Sequence, residues 1–194
     1  MRRISLKFVW TMVVFISCLG IAKGGETGFL PKIIKIKIDT VIAKPGDKPV
    51  IEYWWKNVGG SCAQKDYAVF VHFVPEGKYG EKNIVFGGDY RPTHPTTTWF
   101  PGEVIIEKHY FKIPSDVPPG RYKICIGLWD PTTGARIKLA NEEIKEKGTK
   151  YRICVITIVE KESKVEKKPL EVNFEKSILK EKDLKAKRKK DYLI

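Results

Sequence analysis

The chain is short of the residues that usually carry chemistry: its 194 positions hold three histidines, four cysteines and two methionines. His94 and His109, taken with Asp89 and Glu103, lie scattered over a loop and the strand after it. They lack the short fixed spacing of a zinc or calcium site, so no metal is expected. His72 stands alone between Val71 and Phe73. That setting suits a structural histidine better than a ligand. There is no glycine-rich phosphate loop. Ser61, Ser115 and Cys62 carry no signature that pairs a nucleophile with a base. Asp89 and Glu103 read as acceptors for loop amides rather than as a glycosidase pair. No catalytic residue, metal or cofactor is assigned, and an enzyme is not the leading class. Long apolar runs are missing too. The stretch Phe8 to Ala22 falls short of the roughly 20 residues a helix needs to cross a bilayer. Internal repeats are absent, and acid is the scarcer charge, with 23 Asp and Glu against 36 Lys and Arg.

What is present begins with the two ends. Arg2, Arg3 and Lys7 precede the apolar stretch, and small residues follow at Ala22 to Gly25. This is the order of a secretory signal peptide, assigned to residues 1–24. Export to the periplasm, the envelope or the medium follows. A looser match of Phe15-Ile16-Ser17-Cys18 to a bacterial lipobox offers lipid attachment at Cys18 as the less favoured route. Four of the 36 basic residues and none of the acids lie in the leader, so the net charge of +13 falls to +9. Residues 160–194 form a lysine-rich tail ending in Lys187, Arg188, Lys189 and Lys190. A segment this charged, with few aromatics, buries too little apolar area to offset ordering entropy. The tail is therefore expected to be flexible, or at most a transient helix using Phe174, Ile178 and Leu179. Its basic run is a candidate tether to an anionic surface. Nucleic acid is not expected as a partner, since export and the lack of a nucleic-acid fold motif argue against it.

Between the ends, residues 28–159 read as one β-domain. Lys32, Ile34, Lys35, Ile36, Lys37 and Ile38 lie in an alternating half-buried strand. Val50 to Lys56, Tyr67 to Val74, Ile84 to Tyr90, Glu103 to Ile113, Tyr122 to Trp129, Arg136 to Leu139 and Tyr151 to Val159 follow as further strands. The turn signals between them include Lys44-Pro-Gly-Asp47 and Asp130-Pro-Thr-Thr-Gly134. Seven to eight short strands without a long helix define an all-β fold, an immunoglobulin-like antiparallel β-sandwich. Cys125 and Cys154 fall in neighbouring strands, where a cross-strand disulfide and two buried thiols both fit. Cys62 sits in the loop after Gly59-Gly60, where it could be a free thiol or could link two copies.

Several turn and core motifs lie in order along this span. They are Tyr67-Ala-Val-Phe-Val-His-Phe73, Asp89-x-x-Pro92, Trp99-Phe-Pro-Gly-Glu-Val104, Ile113-Pro-x-Asp-x-Pro-Pro-Gly-x-Tyr122 and Gly127-Leu-Trp-Asp-Pro-x-Thr-Gly-x-Arg136. Over Lys48 to Val159 the chain resembles the β-sandwich accessory domain that follows the membrane portion of bacterial dolichyl-phosphate-mannose mannosyltransferase-like glycosyltransferases. The resemblance implies a free-standing recognition or accessory module without a transferase active site. It carries no catalytic residue and no substrate.

The remaining sharp signal is aromatic. Trp54, Trp55, Tyr90 and Trp99 are the candidate ligand-binding residues, because sugar rings stack their C–H faces on exposed aromatic planes. Trp54 and Trp55 are adjacent on a strand and must point to opposite faces. The leading expectation is a non-catalytic exported module that binds polysaccharide. The alternative is a structural or interaction subunit of an envelope or extracellular protein assembly. Glycan binding calls for an exposed aromatic beside polar groups; assembly calls for an open hydrophobic edge.

Overall fold

The lysine–isoleucine alternation folds as β1 (Pro31–Ile38), which buries Ile33, Ile36 and Ile38 and turns Lys35 and Lys37 outward. The computed structural model describes residues 28–175 and is all-β. The other strands are β2 (Ile42–Ala43), β3 (Val50–Asn57), β4 (Ala68–Pro75), β5 (Phe86–Gly87), β6 (Val104–Tyr110), β7 (Gly120–Trp129), β8 (Arg136–Ile137), β9 (Tyr151–Ile158) and β10 (Leu170–Asn173). Three short 3-10 turns interrupt the connections. One sheet has the order β10-β1-β3-β6. The other runs β2-β9-β7-β4-β5, with β8 added beside β7. Every pairing is antiparallel except β2 with β9.

The two sheets close on each other through Ile36, Ile51, Tyr53 and Trp55 from one side and Val69, Val71, Ile124 and Ile156 from the other. Burial of such side chains supplies about 1.5–3 kcal/mol each and is the main force holding the sheets together. Tyr122 sits near the start of β7, and its hydroxyl donates to the carbonyl of Pro118 at 2.7 Å. That is the tyrosine corner of immunoglobulin-like sandwiches, and it fixes the crossing into β7. Phe100-Pro101-Gly102-Glu103 closes with Glu103 N–H donating to Phe100 C=O at 3.1 Å. Gly102 has φ +81° there, the left-handed conformation a type II turn requires at its third position.

Two sequence expectations change, and one choice left open by the sequence closes. The domain does not stop at residue 159. β10 pairs with β1 from Leu170 opposite Ile38 to Asn173 opposite Lys35, and Phe174 is buried in the core. The charge of residues 160–169 hid a short alternating strand, Leu170-Glu-Val-Asn173, behind it. Among the described residues the strand count rises to ten: β10 is one addition, and β2, at two residues, falls below the length a periodicity can register. Cys125 and Cys154 are both free thiols. The register sets Cys154 opposite Ile124, a core residue, and Cys125 opposite Arg152, with a bulge between. The two sulfurs therefore belong to opposite faces of the sheet, where no disulfide can form. Cys18, Ile178, Leu179 and the basic run Lys187, Arg188, Lys189 and Lys190 lie outside the described residues.

Candidate functional site

The four candidate aromatics separate by strand parity and by loop cover. Trp55 faces the core from β3 and is 0 % exposed. Trp99 is also 0 % exposed, its ring 5.8 Å from that of Trp55 and its Nε1–H donating to His94 C=O at 2.9 Å. Tyr90 stacks between Tyr53 at 5.7 Å and His109 at 4.3 Å. Burial pushes the Tyr90 phenol well above its ordinary pKa, and its hydroxyl is enclosed. Trp55, Tyr90 and Trp99 are thus packing residues rather than ligand platforms. Each is large enough to fill the gap between sheets that Ile and Val leave open. Trp54 alone of the four reaches an outer face. There Lys35 Nζ sits 4.7 Å and Lys37 Nζ 5.5 Å from its ring centroid, a cation–π cover.

That outer face belongs to the four-stranded sheet, and its far side is the edge strand β6. Alternation buries Ile105 and Glu107 and exposes Val104 (45 %), Ile106 (52 %) and Tyr110 (59 %). The register sets Ile106 opposite Trp54, Lys108 opposite Glu52 and Tyr110 opposite Val50. Phe111 N–H donates to Pro49 C=O, and Asn57 N–H to Glu103 C=O, at the two ends of this ladder. In an antiparallel pair the bonded positions alternate, so Ile105, Glu107 and His109 turn their backbone to β3. Val104, Ile106, Lys108 and Tyr110 turn theirs to the open edge. Among the described residues no group hydrogen-bonds those four amides and carbonyls. At one end of the same face a concavity of about 670 Å³ is lined by Lys37, Val50, Glu52, Lys108, Leu170 and Glu171.

The titratable groups are committed to structure. Asp89 accepts from Val71 N–H at 2.9 Å and Glu103 from Phe100 N–H at 3.0 Å, the loop-acceptor role read from the sequence. His72 is nearly buried, and desolvation lowers its pKa; its Nε2 is 4.0 Å from Asp89 Oδ1. Glu107, which the sequence did not single out, accepts from the N–H groups of Thr93 and His94 and lies 2.8 Å from His94 Nδ1. It anchors the proline-rich loop onto β6. Burial drives the thiols of Cys125 and Cys154 up to about 11 and about 12, so both stay protonated and weakly nucleophilic. Among the described residues no three His, Cys, Asp or Glu side chains gather where they could hold a metal ion. No helix there is long and apolar enough to cross a membrane.

No protein-family model matches the chain, and no curated protein shows significant similarity to it.

Proposed function

We propose that this chain is an exported, non-catalytic interaction subunit of an envelope or extracellular protein assembly, and that it joins its partner by strand addition at β6. The observation that carries the reading is the unpaired edge of β6, with four residues' backbone groups free and three large apolar side chains exposed beside them. Edge strands are commonly protected by proline, charge or a covering loop. Here Lys108 is the one charge on the exposed side of β6. An extended segment laid along β6 gains backbone hydrogen bonds, and its alternate side chains reach Val104, Ile106 and Tyr110. A second copy of β6 satisfies this pattern. Run antiparallel, it sets Val104 against Tyr110 and Ile106 against Lys108, opposing no like charges. The leader and the resemblance to an envelope accessory domain support the compartment.

A second reading, polysaccharide recognition, is favoured by Trp54 and Tyr110 sharing one outer face with Glu52 and Lys108. Sedimentation velocity on the chain from residue 25 onward, with and without Ile106→Pro, tests the first reading; a bacterial glycan array followed by tryptophan fluorescence tests the second. Ile106 N–H faces the open edge, so proline there leaves the β3 ladder whole. The subunit reading expects self-association lost in Ile106→Pro and no array binding that depends on Trp54. Monomers of both proteins, with saturable glycan binding that Trp54→Ala abolishes, would transfer the function to the sugar.

A further inference from the structure

The outer face of the other sheet holds a second feature that strand addition does not use. Phe70, His72, Lys123, Cys125, Gly127 and Arg152 point away from the core on β4, β7 and β9, yet most are buried. They are covered by two loops, residues 76–85 and 145–150. Gly127 shows how close the cover lies, because a Cβ there would meet the Phe70 ring at 2.4 Å and Thr149 C=O at 2.6 Å. The loops are held by two carboxylates that each serve two cations. Glu81 accepts from Arg136 Nη1 at 2.7 Å and Nη2 at 3.3 Å, and Lys150 Nζ lies 3.1 Å away. Glu146 accepts from Lys123 Nζ at 2.6 Å and lies 3.7 Å from Arg152 Nε. Asp89, beyond His72, and Glu76, paired with Arg121 and close to Lys123 and Arg152, are further acids nearby, and Lys147 adds a further cation.

Positive charge is therefore in excess over the carboxylates that face it. Part of the excess lies at a cleft of about 350 Å³ whose lining includes Tyr79, Arg136, Lys147 and Lys150 together with Glu81 and Glu146, three cations against two carboxylates. Lys150 is nine-tenths buried in this wall, and its Nζ meets no acceptor in hydrogen-bond geometry. A buried ammonium that shares its one counter-ion is poorly compensated, and an anion arriving above it is attracted through a low-dielectric path. Arg136 has donors left over, since two of its five are spent on Glu81. Tyr79 is 61 % exposed at the rim, with Lys123 Nζ 4.0 Å from its ring centroid.

The geometry points to a binding site for an acidic sugar residue, its ring packed on Tyr79 and its carboxylate or phosphate held by Arg136, Lys147 and the charge of Lys150. The cleft volume suits one such residue. The site is separate from β6 and stands or falls independently of strand addition.

Isothermal titration of the chain from residue 25 onward with glucuronate, glucose 6-phosphate, inorganic phosphate and glucose tests it. The site predicts saturable binding of glucuronate or glucose 6-phosphate, weaker binding of inorganic phosphate and none of glucose. Arg136→Gln should weaken the sugar acid about tenfold, a factor equal to about 1.4 kcal/mol. Glu81→Gln should tighten it severalfold by releasing Arg136 and Lys150 from their shared carboxylate. A merely misfolded variant cannot bind more tightly, so this gain guards against loss of structure in Arg136→Gln. Absence of binding to any of the anions overturns the proposal. Glucose bound as well as glucuronate does so too, as do sugar acids bound no better than phosphate or affinities that neither substitution moves.

Discussion

Asp130 follows β7 and is 2 % exposed, yet it is ionised. It accepts from Lys65 Nζ at 2.5 Å, from Thr133 Oγ1 at 2.8 Å and from Thr132 N–H at 2.9 Å. The Lys65 hydrogen bond is the largest cause holding its carboxyl far below the usual aspartate range, with the Thr133 and Thr132 bonds next. A depressed folded-state pKa contributes stability that is complete above the unfolded value of about 3.9 and is lost as pH falls through the folded one. Asp130→Asn should therefore lower the melting temperature at pH 7, and the gap to the parent should narrow as pH drops below about 4. Thermal melts at pH 7 and pH 3 check this. Tyr122→Phe removes one hydrogen bond at the corner entering β7 and should cost about 0.5–1.5 kcal/mol in urea unfolding. Single residues of this kind were partly legible in sequence. Asp130-Pro-Thr-Thr-Gly134 announced its turn, and parity placed Trp54 and Trp55 on opposite faces. Parity cannot say which face is the core. Nothing local shows that Trp99 and Tyr90, far apart in sequence, pack around Trp55 and Tyr53.

At the scale of elements, the eight strand positions read from alternation and turn chemistry all contain strands in the structure. The exception among sizeable strands is β10. Its four residues follow a lysine- and glutamate-rich stretch, and only pairing with β1 gives them a place. Lys35 and Lys37 reach Glu171 at 2.9 and 3.3 Å across that pairing, but the partly exposed ion pairs contribute little by themselves. The apolar contacts of Leu170, Val172 and Phe174 with the core should dominate. Phe174→Ala should cost about 3–5 kcal/mol, the usual loss for a buried phenylalanine. A chain ended after Val159 should melt well below one ended after Glu175, by differential scanning calorimetry. Equal melting of the two truncations would show that β10 adds nothing to the fold.

For the whole molecule, the two sheets present different outer surfaces. One carries Trp54, alternating lysines and the open β6 edge; the other is roofed by loops that charge pairs fasten down. The surface reading from sequence favoured aromatics because composition lists them but not their burial. The edge could not be read at all, since which strand lies last in a sheet is a property of topology. With three of four candidate aromatics packed away, the weight moves from a sugar platform to a strand-accepting edge. The same topology accounts for Ile106→Pro as a separation-of-function change: its amide points outward, so unfolding by urea should shift little while association is lost.

The most direct measurement is site-specific photo-crosslinking in the cells that make the protein, with the reactive residue placed at position 106 and, as a control on the opposite sheet, at position 152. An adduct of one defined mass from position 106, absent from position 152, is what strand addition at β6 predicts. It should disappear when Lys108 is replaced by proline beside the reactive residue, because that amide also faces the open edge. No adduct from position 106, or the same adducts from both positions, would contradict it.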